Sequence, residues 1–76
     1  MVKEDADFFL DVTGLRCPEP LMIIRRKMRE LSADQTLFIL ADDPATTRDV
    51  PNLCFHLGYT LLEHSSDAPY TFLVKK

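Results

Sequence analysis

Residues 8–31 read Phe8-Phe9-Leu10-Asp11-Val12-Thr13-Gly14-Leu15-Arg16-Cys17-Pro18-Glu19-Pro20-Leu21-Met22-Ile23-Ile24-Arg25-Arg26-Lys27-Met28-Arg29-Glu30-Leu31. The periodicity changes at the cysteine. Before it, Phe8 to Val12 is a short aromatic and β-branched run closed by Thr13-Gly14, the pattern of a strand ending in a turn. After it, Leu21, Ile24, Met28 and Leu31 recur every three or four residues and predict a helix of about 13 residues with one apolar face. Arg25, Arg26, Lys27, Arg29 and Glu30 fall on the opposite face. A strand, a turn carrying a thiol and a helix thus follow one another within 24 residues.

Working outward, Ser32-Ala33-Asp34-Gln35 breaks the helix, and Thr36 to Ala41 is almost wholly apolar, as expected of a strand inside a sheet. Asp42-Asp43-Pro44 ends that strand and supplies a capping carboxylate. Val50, Leu53, Cys54 and Leu57 mark a second helix that stops at Gly58. Pro51 belongs in the first turn of a helix, since a deeper position costs about 3 kcal/mol. The regular helix is therefore expected from near Asp49, with Ala45 to Arg48 as an irregular lead-in. Tyr59–Ser65 and Tyr70–Lys75 read as strands joined in a hairpin through Ser66-Asp67-Ala68-Pro69. The order β-α-β-α-β-β, with right-handed crossovers and a terminal hairpin, predicts an α/β fold. Its form is a two-layer α/β sandwich, with two helices on one face of a mixed four-stranded sheet. Residues 1–76 are expected to form a single domain.

The totals narrow the function classes. A chain of 76 residues hides only about 60–65% of its unfolded surface and has one small core. Apolar residues make up 46% of it, too many for a disordered chain. The net charge of −3 is the wrong sign for a phosphate-tracking surface, so no direct tRNA binding is expected. No stretch approaches the roughly 18 apolar residues of a membrane span, and the acidic start is unlike a signal peptide. Two cysteines without an export signal suggest reduced thiols and a cytoplasmic location.

The chemistry centres on Cys17. Pro18 suits the first helical position and Pro20 the first turn, where backbone donors lack intrahelical partners, so the two prolines stiffen the loop that carries the sulfur. The helix N-terminus and Arg16 favour the thiolate, while Glu19 opposes it, and a moderately acidic, exposed thiol is expected. The plain alternative, a small apolar residue at a helix start, fits poorly with a proline-glutamate-proline sequence behind it. Cys54 is the reverse case, a packing cysteine within an apolar stripe. Cys54 and His56 point about 200° apart on a helix, and no ligand pair has zinc spacing, so no metal is expected. Nor is there a C-x-x-C redox pair.

The segment LDVTGLRCPEPLMIIRRKMREL resembles the signature of the TusA family of sulfur carriers, with its leucine-aspartate strand, GL-x-CP-x-P turn and apolar-striped helix. ADDPATTRDVPNLC resembles the strand-to-helix segment of the family's tRNA-thiolation members. The resemblance runs from Phe9 to Lys75. It implies a two-layer sandwich and a persulfide on Cys17, with Arg16, Pro18, Glu19 and Pro20 as its supporting loop. It also implies loading by a pyridoxal-phosphate cysteine desulfurase and delivery to a multi-subunit relay serving 2-thiolation of wobble uridine in tRNA. Other sulfur pathways, including molybdenum-cofactor metabolism, stay open as destinations.

Such a carrier needs no cofactor of its own. It needs one exposed sulfur, because a second thiol nearby would attack a persulfide and release sulfide. A monomer is expected, since self-association would cover the delivery surface. Arg25, Arg26 and Arg29 become candidates for docking acidic partners, with Asp43 and Arg48 as further docking candidates. On their own, the helical arginines would be a solvated face. Met22 is open between core and partner contact. The rival functions are a small thiol oxidoreductase, which lacks a resolving cysteine and an evident base, and an RNA-binding module, which lacks an aromatic face.

Overall fold

A computed structural model describes residues 6–76. The elements are β1 (Phe8–Asp11), α1 (Glu19–Glu30), β2 (Thr36–Ala41), α2 (Thr46–Leu57), β3 (Thr60–His64) and β4 (Tyr70–Lys75). They form a mixed sheet in the order β1-β2-β4-β3. β1 runs parallel to β2, and β4 runs antiparallel to both β2 and β3. Both helices pack on one face of the sheet, giving the two-layer α/β sandwich expected from the sequence.

The core lies between the layers. Ile24 and Met28 of α1, Val50 and Cys54 of α2, and Leu37, Ile39, Phe72 and Val74 of the sheet are each at most 4% exposed. Leu37 pairs with Val74 and Ile39 with Phe72, so side chains alternating along β2 and β4 meet the helices together. A fully buried side chain of this kind contributes about 1.5–3 kcal/mol, enough for a few such residues to anchor α1 against the sheet. On the other sheet face Phe9 lies opposite Phe38, and the rings stack with centroids 6.0 Å apart.

α2 departs from the expected boundary. It starts at Thr46, and Pro51 lies inside it. The lead-in is wound tightly: the amides of Thr46, Thr47 and Arg48 donate to the carbonyls of Asp43, Pro44 and Ala45, each three residues back. Pro51 therefore sits just beyond this turn, and the carbonyl it leaves without a helical donor belongs to an exposed residue, Thr47. The helix ends as expected at Gly58, whose φ of 76° is left-handed, and the Gly58 and Tyr59 amides both donate to the Cys54 carbonyl. β3 carries a register shift between Leu61 and Glu63 that bends the sheet edge.

Candidate functional site

Parallel pairing of β1 with β2 places their carboxyl ends on one edge of the sheet. The Val12 amide donates to the Leu40 carbonyl at 2.8 Å and carries the pairing one residue beyond β1. The chain after β1, holding Cys17, therefore lies beside the chain after β2, holding Asp42 and Asp43. Ligands and reactive groups gather at such strand ends because loops there are held by a rigid sheet.

Two aspartates fasten the loops together. Asp42 Oδ1 accepts the Gly14 amide at 3.0 Å and the Arg16 guanidinium at 2.9 Å. Asp43 is 7% exposed and uses both carboxylate oxygens: Oδ2 accepts the Cys17 amide at 2.8 Å and Oδ1 the Ala45 amide at 3.1 Å. Its carbonyl accepts the Thr46 hydroxyl at 2.6 Å. The Gly14 amide, followed by Arg16, holds the Asp42 carboxyl below the ordinary range, and the Ala45 and Cys17 amides do the same for Asp43. The capping carboxylate expected of Asp42-Asp43-Pro44 thus serves the turn before α2. It also fixes the backbone that carries the thiol.

Cys17 is exposed and free, whereas Cys54 is buried and free. The Cys17–Pro18 peptide is cis, and Pro18 occupies the N-cap of α1, one position earlier than expected. Pro20 is buried at the second helical position. Cys17 Sγ donates to Asp49 Oδ2 at 3.6 Å, and Arg48 Nε holds the other oxygen of that carboxylate at 3.0 Å.

The expected acidic thiol is not found. Partial desolvation against the loops pushes the Cys17 pKa up. The Asp49 hydrogen bond and the charges of Asp49 and Asp43 add to this, and Arg48 opposes it. Arg16 does not supply the expected thiolate stabilisation, because its guanidinium is engaged by Asp42 and the Leu15 carbonyl. The thiol of Cys54 is likewise pushed up, by burial alone.

The arginines of α1 lie apart from this cluster. Arg25, Arg26 and Arg29 line an open groove of about 440 Å³ with Glu19, Met22 and Ile23. Met22 is 64% exposed, which places it at the surface and not in the core. The groove's lining starts in sequence at Glu19, two residues beyond Cys17, and combines three arginines and one carboxylate with the apolar side chains of Met22 and Ile23. Arg48 is exposed on α2 beside the sulfur, while Asp43 is enclosed and faces inward. Phe55, at 82% exposure, is the largest apolar side chain on the outer face of α2.

Asp49 was given no site role from sequence, and Asp42 was read only as part of the turn that ends β2, not as a partner of the Cys17 loop. Their signal was topological: acidic residues after a strand paired in parallel with β1 must come close to the loop after β1. His56 and His64 are both exposed, and His64 stacks on Phe72 at 6.5 Å. No helix among the described residues is long and apolar enough to cross a membrane. The family model of sulfurtransferase TusA matches residues 8–76, from the first residue of β1 through the last residue of the chain, and this chain belongs to that family of sulfur carriers.

Proposed function

We propose that the chain takes a sulfane sulfur onto Cys17 from a cysteine desulfurase and hands it to a multi-subunit relay for 2-thiolation of wobble uridine in tRNA. The observation that carries this reading is the contrast between the two thiols, one exposed at the tip of a helix and one buried in the core. A loaded persulfide then has no neighbouring thiol to reduce it. The transfer is redox-neutral: the Cys17 sulfur attacks the terminal sulfur of a donor persulfide, a new S–S bond forms, the donor's S–S bond breaks, and the donor leaves as thiolate. The protein is a substrate of its partners and not a turnover enzyme, and it works in the cytoplasm as a monomer without a cofactor.

The Arg25, Arg26 and Arg29 groove, on the helix that begins just after Cys17, supports docking of acidic partner surfaces, with Arg48 as a second cationic contact. In cells lacking the protein, 2-thiouridine should be lost from tRNA. The wild-type chain should restore it, and Cys17→Ser should not. Full thiolation in its absence, with loss of molybdenum-enzyme activity instead, would move the destination to that pathway.

A further inference from the structure

We propose that Asp49 is a positioning residue that distinguishes the empty carrier from the loaded one. Its Oδ2 accepts the proton of the Cys17 thiol and keeps the empty sulfur against the turn, and the same carboxylate turns an added sulfane sulfur outward. The geometry for this is specific. Arg48 Nε occupies Oδ1 at 3.0 Å and leaves Oδ2 aimed at the sulfur at 3.6 Å. The Asp49 side chain is 17% exposed, against 74% for Arg48, so the carboxylate is the restrained member of the pair.

The carboxylates near the sulfur act together, against one cation. Asp49 comes from α2 and Asp43 from the loop after β2. Asp43 also binds the Cys17 amide. Arg16 is turned onto Asp42, Glu19 is exposed on α1, and among the described residues Arg48 is the cation that lowers the thiol's pKa. Two carboxylates therefore flank a thiol that can stay protonated and donate. A persulfide is a stronger acid than the thiol it replaces. Once ionised it has no proton to give Asp49 and is repelled by both carboxylates. The loaded sulfur swings away from α2 toward solvent, where a partner reaches it. The raised thiol pKa is consistent with this arrangement, which also keeps the empty carrier slow toward stray electrophiles.

This inference rests on the persulfide reading above, and its test separates the two. The pH dependence of Cys17 alkylation by iodoacetamide would be followed by peptide mass for wild type, Asp49→Asn and Asp49→Glu, each empty. The Asn variant should show its alkylation midpoint at lower pH and react several-fold faster at neutral pH. Glu should restore most of the wild-type profile. A purely structural role for Asp49 would lower stability without moving the midpoint, and superimposed profiles would overturn the proposal.

The same reagent is then applied after loading with a cysteine desulfurase and cysteine. The loaded sulfur should react at similar rates in wild type and the Asn variant, because it no longer contacts residue 49. An acceleration as large as that of the empty thiol would overturn the outward turn. Failure of all proteins to gain sulfur would defeat the carrier reading while leaving the empty-state profiles to decide the role of Asp49.

Discussion

Replacing Cys54 by alanine separates the two thiols by chemistry and by energy. Cys54 is 4% exposed and packs in the core on α2. Alanine keeps Cβ and deletes one sulfur, a group of roughly methylene size whose burial contributes about 0.8 kcal/mol. Incomplete collapse of the space left behind brings the cost to about 1–1.5 kcal/mol. A chain of 76 residues has a total stability of about 4–11 kcal/mol, so the protein stays folded. With a urea slope of about 1 kcal/mol/M, as small domains show, the midpoint should fall by about 1–1.5 M. Serine should fall further, since it buries a hydroxyl at about 1–3 kcal/mol. A hydrogen bond from that hydroxyl to the carbonyl one helical turn back offsets part of this cost. Both variants should accept sulfur as the wild type does. An alanine variant with an unchanged urea midpoint and lost sulfur acceptance would refute the assignment of Cys54 to packing.

Two further outcomes follow from the site. Asp43→Asn should be less stable than wild type at neutral pH, because one of its two oxygens becomes a donor facing an amide. The Asp43 carboxyl is depressed in the folded protein, so its contribution is present above the ordinary carboxylate pKa of about 3.9 and is lost as pH falls through its lower native value. Urea midpoints of the two proteins should therefore converge in acid; a gap that stays constant with pH would contradict this. Reversing Arg26 and Arg29 together to glutamate should slow sulfur transfer and flatten its dependence on salt, and transfer kinetics unchanged at every ionic strength would remove the groove from docking.

Much of the architecture was legible because local and global preferences agree. The Leu21, Ile24, Met28 and Leu31 spacing marked the face of α1 that the sheet covers, and the apolar run Thr36–Ala41 became an inner strand. Gly58 ended α2 in the conformation that favours glycine. The start of α2 was misjudged for a physical reason. The general cost of an interior proline was used to place Pro51 in the first turn, whereas the helix starts at Thr46 and the carbonyl that Pro51 leaves without a donor belongs to an exposed residue, Thr47.

The site was half legible. Cys17 and its prolines were visible in the chain, and so was the burial of Cys54. The acidity of the thiol was not, because it depends on desolvation against the folded loops and then on Asp49 and Asp43, which lie 32 and 26 positions away along the chain and are brought near by the fold. Arg16, adjacent in sequence, has its charge committed to Asp42. Sequence neighbours were weighed as though they were spatial neighbours, and around Cys17 the desolvation and the carboxylates brought in by the fold outweigh them.

The most direct test of the account is the intact mass of the protein after incubation with a cysteine desulfurase and cysteine, followed by peptide mapping. The expected result is a gain of one sulfur on the Cys17 peptide. A thiol reductant should remove it; Cys17→Ser should not show it, and Cys54→Ala should retain it. Sulfur on the Cys54 peptide, or equal loading of the Cys17→Ser variant, would contradict the central claim.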